Sequence, residues 1–189
     1  GLIYVASDDG RVFSVDPAGL VLEVFPRTAE TGVNLREYGS RSVVSIAVNP
    51  NDGTLYVVLR FTSDLFIVAA NSGCVSWVSM FSDHGLGSFQ LFLCIAVSST
   101  EDRLYATGIL NQRADFAVRY DPRDDTLVLW LSEFMAGNNH FASITWDPDG
   151  KCAYALSPLT GNVWQVCERA TTPCDRLAGG TDWQLGCSP

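Results

Sequence analysis

The residues best suited to chemistry lie in three polar stretches, residues 26–41, 82–90 and 132–141. Their carboxylate and amide oxygens, from Asp83, Glu133, Asn138 and Asn139, are ligands that Ca²⁺ accepts, and a histidine is a general base near neutral pH. The spacing matches no diagnostic metal or catalytic pattern, so we favour the simpler interpretation that these are loop residues. The candidate binding residues are Arg36, Asp83, His84, Glu133, Asn138, Asn139 and His140.

Six cysteines form the second group of chemically capable residues. No C-x-x-C pair is present, and neither histidine lies at ligand spacing from a cysteine pair, which argues against a zinc site. No cysteine stands out beside a histidine as a catalytic thiol would. Disulfides therefore fit better than the alternative of buried free thiols. The disulfide candidates are Cys74, Cys94, Cys152, Cys167, Cys174 and Cys187.

Local geometry favours one cysteine pairing. Residues 157–162 resemble a turn between two short strands, and Cys152 and Cys167 are equidistant from its centre. The two cysteines would then face each other across a hairpin, at a separation that a disulfide tolerates. Such bonds predict an extracellular or secretory-lumenal protein. The other pairs would be Cys174 with Cys187 at the C-terminal loop, and Cys74 with Cys94 between consecutive sheets.

The composition excludes several partners and chemistries. A formal net charge of −9 would repel a nucleic-acid backbone or an anionic membrane surface. The longest apolar run, residues 91–97, is far shorter than the ~18 residues that a membrane span needs. The sequence has no G-x-S-x-G elbow, glycine-rich phosphate loop or C-x-x-C-H haem motif. We expect no nucleic-acid partner, no membrane insertion and no cofactor, with calcium left open.

An internal repeat is the strongest signal in the sequence. Three segments align without gaps, and their isoleucines Ile46, Ile95 and Ile144 are 49 residues apart each time. The tyrosines of these segments keep the same period, and a fourth copy begins part-way through at Leu2. The aligned segments are residues 45–56, 94–105 and 143–154, and the tyrosines are Tyr4, Tyr56, Tyr105 and Tyr154.

Each copy contains four short predicted strands. An apolar strand such as 44–48 is followed by a turn, in which Pro50 presets φ and Gly53 takes a positive φ. The second strand carries the tyrosine, the third alternates polar and apolar residues, as in 11–16, and a fourth follows another turn. Strands rich in Val, Ile and aromatic residues, without a long 3.6-residue period, predict an all-β fold.

A period near 49 residues with four strands in each unit is typical of a β-propeller blade. The succession of an apolar strand, a turn such as D-P-D-G, a tyrosine strand and a strand ending near Asp resembles the broad NHL, YVTN and lactonase-like propeller group, over essentially the whole chain. We predict one domain over residues 1–189, an all-β propeller of four-stranded antiparallel blades. The blades would cover residues 2–41, 42–90, 91–141 and 142–189.

The first copy lacks its innermost strand, which leaves two arrangements open. Either the C-terminal segment supplies that strand and closes a ring of four blades, or the four blades belong to a larger propeller. Because a propeller fold hosts many activities and no catalytic constellation accompanies this repeat, we expect a non-catalytic extracellular module. It would bind a protein or a glycan, including copies of itself or a larger assembly. The resemblance implies one alternative, a calcium-dependent lactonase- or esterase-like hydrolase with His84 or His140 as base.

Overall fold

The computed structural model describes residues 1–25, 43–59, 64–70, 75–79, 90–110, 114–131, 143–149, 151–157, 161–167 and 176–177. The regular structure of these residues consists of fifteen β-strands, which confirms the predicted all-β class. The strands are β1 (Ile3–Ala6), β2 (Val12–Val15), β3 (Val21–Phe25), β4 (Val43–Val48), β5 (Leu55–Leu59), β6 (Asp64–Val68), β7 (Val75–Ser79), β8 (Gln90–Val97), β9 (Leu104–Leu110), β10 (Ala114–Asp121), β11 (Thr126–Leu131), β12 (Ser143–Asp147), β13 (Cys152–Ser157), β14 (Asn162–Cys167) and β15 (Arg176–Leu177).

The strands form four antiparallel sheets, which we call blades 1 to 4, in chain order. Blades 2, 3 and 4 have four strands each, in the orders β4-β5-β6-β7, β8-β9-β10-β11 and β12-β13-β14-β15. Blade 1 has the order β1-β2-β3, so its innermost strand is absent from the described residues, as the sequence predicted. Every pairing joins strands that are consecutive in sequence, because short turns place antiparallel neighbours side by side.

Sheet faces pack against each other in three apolar seams. The seam between blades 1 and 2 buries Val12, Phe25 and Phe66, and the two phenylalanine ring centroids lie 5.4 Å apart. The seam between blades 2 and 3 buries Tyr56 and Val58 against residues of β8 and β9. The seam between blades 3 and 4 is built from smaller side chains. Its members include Tyr105, Ile144, Ala153 and Ala155, with Cys94, Ala96 and Trp146 packed against them.

The period-two alternation of each strand decides which residues enter which seam. In β5, Leu55 and Val57 belong to the seam with blade 1, whereas Tyr56 and Val58 belong to the seam with blade 3. Every residue of β5 is consequently buried, because both faces of its sheet are covered. Complete burial of one such aliphatic side chain stabilises the fold by about 1.5–3 kcal/mol. In the described part of the chain, no helix is long and apolar enough to cross a membrane.

Candidate functional site

The seven binding residues predicted from the sequence all lie outside the described residues, so they stay predictions. The same holds for Cys74, Cys174 and Cys187 among the disulfide candidates. Both histidines, on which the hydrolase alternative depends, belong to this group. The seven residues are Arg36, Asp83, His84, Glu133, Asn138, Asn139 and His140.

The described structure instead defines the opposite end of the blades. In a meander of antiparallel strands, the turns after the first and third strands lie at one end, and the connections between blades lie at the other. We call the first end the turn face. Among the described residues it includes five turn segments: 16–20, 49–54, 98–103, 121–126, and 147–149 together with 151.

Aspartate and asparagine side chains shape these turns by accepting backbone hydrogen bonds. Asp16 Oδ1 accepts from the amides of Ala18 at 2.8 Å and Leu20 at 2.9 Å. Asp52 Oδ1 accepts from Thr54 N at 2.8 Å, and Asp147 Oδ1 accepts from Asp149 N at 3.0 Å. Such Asx turns are the ordinary reason for Asp and Asn at these positions.

One position in the first turn of blades 2, 3 and 4 takes the left-handed conformation. Gly53, Asp102 and Lys151 are equivalent in the repeat, and their φ angles are 77°, 56° and 52°. Glycine enters this region without a steric cost, whereas a side chain makes it unfavourable. Of these three residues, Asp102 makes side-chain hydrogen bonds to a neighbouring blade.

Asp102 connects the turns of blades 2 and 3 on the turn face. Its Oδ1 accepts from Asn51 Nδ2 at 2.7 Å and from Asn49 Nδ2 at 3.1 Å. Asn51 Nδ2 also donates to the carbonyl of Ser99 at 2.8 Å. The hydrogen bonds from Asn51 and Asn49 lower the pKa of Asp102, because they stabilise its carboxylate form. The two turns are thus held in a fixed relative position.

Asp121 is a buried carboxylate between two arginines. Its Oδ1 accepts from Arg123 Nε at 3.0 Å and from Arg123 N at 3.1 Å. Its Oδ2 accepts from Arg123 Nη2 at 2.8 Å and from Arg103 Nε at 3.1 Å, and Arg103 also pairs with Glu101. The Arg123 hydrogen bond is the main cause that holds the pKa of Asp121 well below its usual value, against the opposing effect of burial.

The turn face is acidic, and this affects the tyrosines beneath it. Its five segments contain nine carboxylates and three cations. Burial raises the pKa of Tyr56 to about 12, and the carboxylates of Asp52, Asp102 and Asp121 add to that effect. Burial is also the main cause of the raised pKa of Tyr120, whose hydroxyl donates to Asp125 Oδ1 at 2.8 Å. Both phenols therefore serve as protonated structural groups at neutral pH.

Cys94 is a free thiol, which contradicts one of the predicted disulfides. The expected bond from Cys94 to Cys74 is wrong, because the Cys94 side chain belongs to the seam between blades 3 and 4. There its Sγ donates to the carbonyl of Ile144 at 3.7 Å. Ser45 Oγ, the equivalent position of blade 2, donates to Cys94 Sγ at 3.8 Å.

The strand register places Cys152 of β13 directly opposite Cys167 of β14. This is the cross-hairpin placement that the symmetric spacing predicted. The Cys152 side chain is buried, and its Sγ accepts from Gln165 Nε2 at 3.2 Å. Gln165 Nε2 also donates to the Tyr154 hydroxyl at 3.1 Å.

Among the described residues, no group of three or more His, Cys, Asp or Glu side chains is placed to hold a metal ion. The carboxylates of Asp102 and Asp121 are occupied by amide and guanidinium donors instead. The oxygens proposed for calcium, from Asp83, Glu133, Asn138 and Asn139, lie outside the described residues.

Sequence reasoning missed the cross-turn contacts of the turn face. The residues concerned are Asn49, Asn51, Asp102 and Asp121. One signal was present, since Asp102 stands where the repeat has Gly53, and a non-glycine residue there needs a compensating interaction.

Neither a protein-family model nor a curated protein matches the chain. Among solved structures, it is similar to the Cps50 (Swd1) β-propeller domain of Myceliophteria thermophila, at 11% identity and a TM-score of 0.64, covering 97% of this chain and 58% of that one. A chain of the nidogen–laminin complex gives 13% identity, a TM-score of 0.66, and coverage of 94% and 60%.

A third similar structure comes from the mitotic checkpoint complex, at 15% identity and a TM-score of 0.66. It is matched over 97% of this chain and 50% of that one. The chain thus spans less than two thirds of the length of each of these three structures. At such identities the likeness shows the fold, and that fold is a β-propeller, as the repeat predicted.

Proposed function

We propose that this chain is a non-catalytic extracellular β-propeller module that binds a protein partner through its turn face. The observation that carries the proposal is the acidic turn face with its cross-turn hydrogen bonds. Asn49, Asn51 and Asp102 connect the turns of two blades, and Arg103 and Asp121 connect two turns within one blade. A preorganised acidic surface is complementary to a basic one and loses little entropy on binding.

Two of the similar structures support a protein partner. They are components of assemblies, the nidogen–laminin complex and the mitotic checkpoint complex. We also propose a glycan as an alternative ligand. We further propose that the repeat is of the NHL-like type. Neither is required by the acidic turn face, which favours a cationic protein surface.

An extracellular or secretory-lumenal location is part of the same proposal. It rests on a disulfide between Cys152 and Cys167, supported by their direct pairing in the strand register. Peptide mapping after alkylation without reduction tests this bond. We expect Cys152 and Cys167 to be recovered in one crosslinked pair, and Cys94 to be alkylated. Alkylation of Cys152 and Cys167 in the native oxidised protein would contradict the bond and remove the main support for the location.

The turn face is tested by its affinity for a labelled oligoarginine peptide, measured by fluorescence anisotropy. Asp124→Asn and Asp149→Asn each remove one exposed carboxylate from the turn face. The matched control is Asp8→Asn, which removes an exposed carboxylate from the opposite end of blade 1. We expect the two turn-face variants to weaken binding and the control to leave it unchanged.

Equal weakening by all three variants would mean that the peptide senses only net charge, and the turn face would lose its role. A separate assay addresses catalysis. The chain is incubated with a lactone substrate and Ca²⁺, and then with a chelator. Hydrolysis that needs the protein and stops on chelation would overturn the non-catalytic proposal in favour of the hydrolase.

A further inference from the structure

The internal repeat identifies what each sheet face packs against. We call the face of a blade that meets the preceding blade its leading face, and the opposite one its trailing face. Leu55 and Val57 are buried on the leading face of blade 2, and Leu104 and Ala106 occupy the equivalent buried positions of blade 3. In blade 4 these positions are Ala153 and Ala155, which are buried in the same way.

Blade 1 leaves these same positions uncovered. The equivalents of Leu55 and Val57 are Ile3 and Val5, and their exposed fractions are 66% and 48%. The strand pairing places Val15 opposite Ile3 and Val21 opposite Val15, so both valines belong to the same face. Val21 is 56% exposed. The same face also carries Phe13, whose ring lies under the Arg11 guanidinium, and Glu23, which pairs with Arg11 at 3.7 Å. The apolar part of the face is therefore the group of Ile3, Val5, Val15 and Val21. Such a group normally marks an interaction surface, because its exposure to water is unfavourable.

Blade 4 presents the complementary surface. Its trailing face carries Tyr154 and Leu156, which are equivalent to Tyr56 and Val58 of blade 2. Tyr56 and Val58 are buried against blade 3, whereas Leu156 is 40% exposed. The exposure of both Ile3 and Leu156 means that blade 4 does not cover blade 1 within one chain. Among the described residues, one leading face and one trailing face are therefore left uncovered.

We propose that the leading face of blade 1 binds the trailing face of blade 4 from a second copy of this chain. Every seam in the molecule joins a trailing face to a leading face, so the contact between copies would continue an interface that the chain already makes three times. Such a contact is heterologous, and two copies would close a ring when the rotation between blades permits it. The proposal does not depend on the acidic turn face, which uses other residues.

Sedimentation velocity over a range of protein concentrations tests this contact. Ile3→Glu and Leu156→Glu each place a charge on one of the two faces, at side chains exposed enough to leave the fold intact. Val128→Glu is the matched control, since Val128 is 38% exposed on β11 of blade 3, which is flanked by blades on both sides. We expect the unmodified chain to self-associate, each face variant to weaken association at least about tenfold, and the control to behave like the parent.

Mixing the two face variants provides the decisive measurement. Ile3→Glu retains an intact trailing face and Leu156→Glu an intact leading face, so an equimolar mixture should form a heterodimer although each variant alone is monomeric. A mixture that stays monomeric would overturn the proposal, as would a parent chain that is monomeric at all concentrations. Association that Leu156→Glu leaves unchanged would also overturn it, since it would indicate that two copies of blade 1 pack face to face.

Discussion

Ser45 and Cys94 occupy the same position in consecutive blades, 49 residues apart in sequence, and their side-chain Oγ and Sγ atoms lie 3.8 Å apart. The Ser45 hydroxyl oxygen also accepts from the amide of Ile95 at 3.1 Å. Cys94 continues the series by donating to the Ile144 carbonyl of blade 4. The sequence repeat is thus translated into a hydrogen-bonded series that crosses the innermost strands of three blades.

Ser45 should matter more for stability than Cys94. Ser45→Ala leaves the Ile95 amide without its hydroxyl acceptor, and we expect the free energy of unfolding to fall by about 1–3 kcal/mol. Cys94→Ala removes weaker sulfur hydrogen bonds and a small apolar volume, so its cost should be smaller. Chemical denaturation of both variants gives the comparison. A larger loss for Cys94→Ala would mean that packing rather than hydrogen bonding dominates this seam.

Asp121 should make the stability of the protein sensitive to acid. Its folded-state pKa lies well below 3.8, the usual value of an aspartate, so it contributes stability above that pH and loses the contribution as the pH falls below it. Asp121→Asn should lower the free energy of unfolding at neutral pH by about 1–3 kcal/mol, because two guanidinium groups lose their charge partner. The variant should also lose less stability than the parent on acidification.

The measurement for Asp121 is thermal unfolding at neutral pH and at about pH 3. Asp8→Asn, an exposed carboxylate on another turn, serves as the control and should follow the parent at both pH values. If Asp121→Asn loses as much stability on acidification as the parent does, the acid sensitivity arises from other carboxylates.

Asp102 combines a strained conformation with two hydrogen bonds between blades, and two substitutions separate these effects. Asp102→Gly removes the acceptor for Asn49 and Asn51 but tolerates the φ of 56°. Asp102→Ala removes the acceptor and keeps a side chain in the left-handed region, which costs about 1 kcal/mol more. Both should lower the denaturation midpoint, and the alanine variant should be the less stable. Equal stabilities would show that the turn relaxes out of the left-handed region.

Tyr105 and Trp146 stack across the seam of blades 3 and 4, with ring centroids 5.2 Å apart and planes inclined by 8°. The buried Trp146 Nε1 has no hydrogen-bond partner among the described residues. We therefore expect Trp146→Phe to cost less than about 1.5 kcal/mol, since it keeps an aromatic ring and removes an unpaired donor. Trp146→Ala should cost about 2–4 kcal/mol, because it removes the stacked ring.

Unfolding monitored by circular dichroism compares the two Trp146 variants. A phenylalanine variant as unstable as the alanine variant would show that the indole N–H has a partner that contributes to stability.

Local patterns in the sequence account for most of the fold. The proline and glycine turns, the period-two strands and the spacing of Tyr56, Tyr105 and Tyr154 predicted the blades, because these features act between residues close in sequence. The same locality explains why Cys152 and Cys167 were correctly placed opposite each other. Their hairpin has a short turn, and the turn length sets the register.

The contacts between blades required the tertiary structure. Asn51 and Asp102 are far apart in sequence, and nothing in either turn alone indicates that the two side chains meet. Cys94 likewise could be read as half of a disulfide until the packing of blades 3 and 4 placed it in their seam. The sequence by itself determined strand order, turn positions and the repeat, since backbone hydrogen bonding and side-chain alternation are local. Only the packing of whole sheets decided which equivalent residues touch, and which sheet faces are left uncovered.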